Sequence, residues 1–295
     1  MANEQTEKKY ELISGDWVEV IDILHHKHVL YRIRAIKDFD DVKAGDYGGY
    51  IESENNLSHE GSAWVYSDAV RIDKNAKLWG HALLCESAKM YHSAEVCDYA
   101  IVSGNTKIYE DAKIHGKATV TGNCYIHEIS EICENSTIEG NHINIHGRTV
   151  IGGTSHIEGT DIEIYGETTM FGNTIISGTD IVILDTDISG AANIRDKAYI
   201  CSNNDFISIT NMGSERDVLT SYLTVDYVVM MSLLEFVGTY DEFLEYVRKN
   251  YEYTQFYTEF TSFAEVIKQR FTENRKYKLK GGAYGNINAI IKTTL

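Results

Sequence analysis

A small residue returns every six positions along the middle of this chain, and that period constrains the fold more than any other feature. Ala76, Ala82, Ala88, Ala94, Ala100, Thr106, Ala112, Ala118, Cys124, Ser130 and Ser136 mark it without a gap. Two residues after each marker stands an aliphatic residue or Met: Leu78, Leu84, Met90, Val96, Val102, Ile108, Ile114, Val120, Ile126, Ile132 and Ile138. A period of six fits neither a helix nor an isolated strand. It fits a coil with three flat sides, each side one short strand and one corner. The small residue turns inward beside the corner and the aliphatic residue fills the axis. Three hexads close a coil, so the repeat predicts about eight coils stacked about 4.8 Å apart.

The expected fold class is mainly β, a parallel β-helix. Its left hand follows by analogy with hexapeptide-repeat proteins, against the usual right-handed crossover rule. The marker phase reads on through His142, Arg148 and Thr154 and slips around Gly166 to Glu167. It resumes at Thr168, Thr174, Asp180, Thr186, Ala192 and Ala198. An earlier slip lies between Val65 and Val70. Gly-Asn pairs at 104–105, 122–123, 140–141 and 172–173 suit corners that need left-handed backbone angles.

The repeat divides the chain into four parts: an N-terminal β cap over 1–50, the β-helix over 51–205, a small α+β module over 206–280 and a tail over 281–295. In the cap, Asp16–Leu24 and Val29–Ile36 read as two strands of a hairpin turning at His25-His26-Lys27-His28. Such a cap covers a terminal coil that would otherwise be an open sheet edge. In the module, Phe206–Thr210, Val218–Leu223 and Val228–Leu234 read as strands. Thr239-Tyr240-Asp241-Glu242 is a capping box that opens a helix. Phe256, Phe260, Phe263, Ile267 and Phe271 mark a second helix with an apolar stripe.

The chain has 295 residues, a formal charge of −17 and no proline. A balance this acidic argues against direct nucleic-acid binding, which needs Lys and Arg on phosphates. It suits a basic protein surface instead. Five cysteines, Cys85, Cys97, Cys124, Cys133 and Cys201, form an odd set that argues against a disulfide framework. The polar opening residues and the lack of a long apolar run point to a cytoplasmic protein that meets no membrane.

The segment Arg34-Ala35-Ile36-Lys37-Asp38-Phe39-Asp40-Asp41-Val42-Lys43-Ala44-Gly45 is followed by Gly48-Gly49-Tyr50-Ile51-Glu52, Asn56-Leu57-Ser58 and Ala63-Trp64-Val65-Tyr66. In order and spacing it resembles the opening of the YdcK-like family of bacterial and prophage β-helix proteins, which are often labelled hexapeptide transferases. Gly213-Ser214-Glu215-Arg216-Asp217 and Gly238-Thr239-Tyr240-Asp241-Glu242-Phe243 resemble a tail module of phage-borne members. The resemblance implies a mobile-element origin. Fold does not set the activity.

Acyltransferases of this fold use a histidine as general base, which must reach the acceptor. The candidates here are His81, His92, His115, His127, His142, His146 and His156. The irregular stretch places the fallback catalytic set at His142, His146 and His156. Residues eighteen apart share a column on successive coils. Cys97, His115 and Cys133 make one such column, a weak candidate for metal. Tyr91, Tyr109 and His127 make another, and with Tyr66 and Trp79 they form the expected partner-binding surface.

These readings point to a non-enzymatic, phage-type binding protein without a cofactor. It is expected to be a homo-oligomer that engages and inhibits a host protein complex, for example a Gabija-type nuclease–helicase antiviral assembly. A hexapeptide-repeat acyltransferase is the first alternative and a structural or self-assembling phage protein the second.

Overall fold

The computed structural model describes residues 7–21, 26–67 and 70–279. It is mainly β: a left-handed parallel β-helix of about eight coils, a separate antiparallel sheet and two C-terminal helices. Each coil has three sides. Side one stacks Trp64–Val65, Leu83–Leu84, Ile101–Val102, Thr119–Val120 and Thr137–Ile138. Side two stacks Arg71–Ile72, Lys89–Met90, Lys107–Ile108 and Tyr125–Ile126. Side three stacks Lys77–Leu78, Glu95–Val96, Lys113–Ile114 and Glu131–Ile132. The second residue of every pair points inward and is fully buried, as the period predicts. The small markers are buried too. At most Ser and Thr markers the hydroxyl donates to the carbonyl three residues back, as Ser136 does to Cys133 at 2.7 Å and Thr168 to Tyr165 at 2.6 Å; Thr186 instead donates to Leu184, and the Thr174 hydroxyl is buried without a partner. This local bond makes a hydroxyl tolerable in an apolar axis.

The corners hold residues at positive φ. Gly104, Gly122, Gly140 and Gly172 take that conformation, as their Gly-Asn pairs predict. At several other corners an acidic residue does so, and its carboxylate accepts a backbone N–H from the neighbouring coil. Glu86 accepts from Gly104 at 2.8 Å, Asp98 from Gly116 at 3.0 Å and Glu110 from Glu128 at 2.8 Å. Part of the chain's acidity is thus structural, because it satisfies corner amides that the ladders leave over.

The reading of the irregular stretch is corrected by the structure. The inward residues are Ile143, Thr149 and Ser155, not His142, Arg148 and Thr154. The register breaks between Asn123 and Cys124, where His142 is inserted opposite. The next two coils repeat the insertion with Asp161 and Asp180, and all three residues have φ near 55 (54, 55 and 56). Ile181, not Asp180, is the inward residue there. These coils carry an isoleucine at the marker position (Ile143, Ile162, Ile181), so a search for small markers passes over them.

Side chains help to close both ends of the β-helix, where a parallel ladder leaves backbone N–H and C=O groups alternating along the open edge. At the N-terminal end Lys9, 1% exposed, donates from Nζ to the Ala63 carbonyl at 2.9 Å and Gly61 at 3.2 Å, and the Tyr10 hydroxyl donates to Leu57 at 2.7 Å. At the C-terminal end the backbone N–H of Asn193 donates to Thr220 Oγ1 at 2.8 Å, that of Asp187 to Asn203 Oδ1 at 2.7 Å and that of Cys201 to Asp205 Oδ2 at 3.1 Å, while the Ser208 hydroxyl donates to the Ala191 carbonyl. These bonds blunt both edges.

The N-terminal cap is β1 (Tyr10–Ile21) antiparallel to β2 (Lys27–Ala35), then β3 (Tyr47–Ile51). Lys27 and His28 lie in β2 rather than in the turn, and His25 lies outside the described residues. β3 pairs antiparallel with β2 and parallel with Arg71–Ile72, so the hairpin grows directly into side two.

The C-terminal sheet is a meander of Phe206–Met212, Asp217–Leu223, Val229–Leu233 and Phe236–Thr239, the last strand unforeseen from the sequence. The second strand alternates: Thr220 and Tyr222 face the β-helix, while Leu219 and Leu223 join the core under the helices. α1 (Tyr240–Tyr251) opens on the predicted capping box of Thr239 and Glu242. α2 (Phe256–Leu279) buries Phe260, Ile267 and Phe271 as predicted, whereas Phe263 is exposed. The tail over 281–295 lies outside the described residues.

All five cysteines are free, and all but Cys85 are buried. Burial pushes the thiols of Cys97 and Cys124 up to about 12 and that of Cys133 up to about 11. A group whose folded pKa is raised contributes stability that is intact below the unfolded thiol value and lost as pH climbs through the folded one. Lys9 acts in the opposite sense, since burial lowers it to about 8 and its penalty fades as pH rises above that value. Three thiols, with Tyr91 and Tyr222 also pushed up to about 12, outweigh one lysine. The urea midpoint is therefore expected to fall between pH 8.5 and 11, within the window these shifts define. A thiol reagent at pH 8 should label Cys85 first and the other four only after unfolding. A flat midpoint, or five thiols labelled at one fast rate, would contradict this account.

Candidate functional site

The outward residues of side two form one continuous column, and it changes character along its length. In register it reads Tyr50, Arg71, Lys89, Lys107, Tyr125, Asn144, Glu163, Val182 and Tyr199. Its N-terminal half is cationic. Its C-terminal half holds one carboxylate, Glu163, and opens into an acidic groove.

That groove has a volume of about 680 Å³ and lies where the three inserted residues stack. His142, Asp161 and Asp180 line one wall, and Asn144, Glu163, Val182 and Tyr199 form the floor. Lys197 closes one end, and Val225 and Asp226 reach in from the C-terminal module. His142 Nδ1 stands 3.2 Å from Asp161 Oδ1. The side chain of His142 is 65% exposed. Such a pair orients an imidazole for proton transfer. The groove as a whole carries four carboxylates (Asp161, Glu163, Asp180 and Asp226) against one lysine.

Beside the column runs a ladder of parallel rings. Tyr109 stacks on His127 at 4.6 Å, His127 on His146 at 4.8 Å and His146 on Tyr165 at 5.1 Å, with interplanar angles of 5–6°. The ladder is tied to the floor of the groove. His127 Nε2 lies 3.0 Å from Asn144 Oδ1, and His146 Nε2 lies 3.4 Å from Glu163 Oε1. The bond to His146 holds the Glu163 carboxyl below its usual range.

The expected site residues are distributed as follows. Of the fallback set, His142 lines the groove and His146 sits in the ladder. His156 lies on side one, with Nε2 3.6 Å from Glu139 and 3.5 Å from Glu158. Of the partner-binding set, Tyr91, Tyr109 and His127 share the corner beside side two. Tyr66 follows side one and bonds Asp41, and Trp79 follows side three and bonds Glu95, so the five do not form one patch. Cys97, His115 and Cys133 do share a column. In that column the ligating atoms that gather within 4.8 Å of one another belong to His115, Glu131 and Cys133, and a second such group is Glu139, His156 and Glu158 on side one. His115 is held between Glu131, at 2.7 Å, and Asp98, at 3.7 Å.

Sequence reasoning missed Asp161, Asp180, Glu163, Lys197 and Asp226. A usable signal was present: the pairs Ile143–Ile145, Ile162–Ile164 and Ile181–Ile183 recur nineteen apart and place His142, Asp161 and Asp180 at one corner.

No family model matches the chain. Over 65 residues it is 42% identical to a protein of Escherichia coli (strain K12) named "Uncharacterized acetyltransferase YdcK", a match that covers 22% of this chain and 18% of that protein. The chain thus spans well under two thirds of that relative's length. No helix among the described residues is long and apolar enough to cross a membrane.

Proposed function

We propose that this chain is a non-enzymatic binding protein whose acidic groove and adjoining ring ladder engage a basic surface of a protein partner. The observation that carries this reading is the cluster of Asp161, Glu163, Asp180 and Asp226 around Lys197 in an open groove. Clustered carboxylates raise the local potential against anions and attract Lys- and Arg-rich surfaces. The ladder adds flat amphipathic rings of the kind enriched at interface cores. In its specific form, the groove stands in for a polyanion and occupies a basic nucleic-acid site on a host complex, which blocks that complex.

Acyl transfer is the second reading. It is favoured by the His142–Asp161 pair and by the name of the similar Escherichia coli protein. The groove does not fit a phosphate-rich acyl donor, because its carboxylates repel phosphate and one lysine does not compensate.

The test is affinity capture from bacterial lysate with wild type, Asp161→Lys/Asp180→Lys and His142→Ala, followed by reconstitution with the purified partner. Wild type and His142→Ala should hold a stoichiometric protein that the charge reversal loses, with binding that weakens as salt rises. Acetyl transfer by wild type that His142→Ala abolishes, with no groove-dependent partner, would replace this reading with the second.

A further inference from the structure

The cationic half of side two is unlike the rest of this acidic chain. Arg71, Lys89 and Lys107 occupy the same outward position on three successive coils, in direct register. Like charges on adjacent rungs repel one another. Among the described residues no carboxylate forms an ion pair with Lys89 or Lys107. Lys107 instead lies over the Tyr125 ring, 4.9 Å from its centroid. Beside this column, under Val20 and Ile21 of β1, are two adjoining clefts of about 330 Å³ and 390 Å³ that share Ile21, Asp73 and Tyr91. Together they have the size of a small-ligand site.

Two further observations point to the kind of ligand. The ring ladder ends at Tyr109: among the described residues Tyr91, one coil away, makes no ring contact with it, and both line the cleft. One planar heterocycle against Tyr109 would extend the stack by a rung. The second observation is Asp73, which lines both clefts, is 1% exposed and has a buried Oδ1 without a hydrogen-bond partner. A buried orphan acceptor is costly unless a donor reaches it. Burial also pushes this carboxyl up to about 6.

We infer that this cleft binds a nucleoside phosphate, with its base against Tyr109 and Tyr91, a base N–H donated to Asp73 and its phosphates on Lys89 and Lys107. The short cationic stretch suits a single nucleotide rather than a strand, since a longer polyanion would run into the acidic half at Glu163. The site lies on the other half of side two from the acidic groove and does not depend on the function proposed above.

Calorimetric titration of the full chain with ADP, GDP, CDP and UDP tests this, with adenosine, inorganic pyrophosphate and coenzyme A as comparison ligands. At least one nucleotide should bind in the micromolar range and lose at least tenfold in affinity in Lys89→Glu/Lys107→Glu. Tyr109→Ala should lose about tenfold through the stacked base. Adenosine and pyrophosphate should each bind at least tenfold more weakly than the best nucleotide. The lysines are on the surface, so unchanged thermal unfolding of the double variant shows that a loss is local, and Lys107→Gln gives a milder second variant. Silence with all four nucleotides would overturn the inference, as would pyrophosphate binding as tightly as the best nucleotide. Binding of coenzyme A with ADP silent would also overturn it, because recognition would then lie in the pantetheine arm. Partner capture through Asp161 and Asp180 is unaffected by any of these outcomes.

Discussion

Gly140→Val is expected to lower the unfolding midpoint by about 10 °C, which corresponds to roughly 4 kcal/mol for a chain of this size. Gly140 sits at φ 145 in a corner where Gly122, Gly140, Gly159 and Gly178 lie on successive coils. A Cβ on Gly140 would lie 1.9 Å from the Gly159 carbonyl oxygen, and that oxygen is backbone held in the next coil. The side chain has nowhere to turn, so the coils must separate and the ladder on both sides loses bonds. Gly190 is the internal control. It has φ 83, but a Cβ there meets nothing within 4 Å, so Gly190→Ala should show backbone strain alone, about 1–2 kcal/mol. Thermal unfolding of the two variants side by side checks this. Equal midpoints would mean that the collision at Gly140 is relieved by relaxation and that the glycine column is not what holds the corner.

The second large effect is expected at the N-terminal end. Trp64 is 2% exposed and joins the cap to the first coil. Its ring lies 5.3 Å from Phe39 and 6.3 Å from Tyr10, in edge-to-face contacts. Trp64→Ala removes the largest side chain at this junction and should destabilise by about 3–5 kcal/mol. It should also loosen Lys9 and Tyr10 from the carbonyls of Gly61, Ala63 and Leu57. The first coil then presents unpaired backbone groups, and an open edge recruits other chains. Light scattering should rise at temperatures where wild type stays clear. Trp79→Ala, at a side chain 38% exposed on side three, is the matched control and should change little. If the two tryptophan variants unfold and scatter alike, the cap does not close the edge.

Both predictions rest on features of unequal visibility in the sequence. The coils from Ala76 to Ser136 were legible because every inward position repeats and burial enforces the pattern. The Gly-Asn corners were legible because only a few residue types tolerate positive φ. The end caps were not. Nothing in the local sequence of Lys9 or Thr220 says that it will meet an unpaired carbonyl or N–H tens of residues away. The acidic groove was half visible: His142 was singled out, but Asp161 and Asp180 become its neighbours only through the inserted residue in each coil.

The inward pattern by itself determined the three-sided parallel coil, since a residue must fill the axis every six positions; its hand came from analogy with hexapeptide-repeat proteins. What meets what on the outside was decided by coil length, a tertiary quantity. An eighteen-residue coil would set His127 over Ile145. The extra residue at His142 makes that coil nineteen, so His127 stacks on His146 and His146 on Tyr165. The same step aligns His142 with Asp161 and brings the carboxylates of the groove together. Outward side chains carry no burial constraint that would write their register into the sequence, so one inserted residue rearranges the surface and leaves the core as it was.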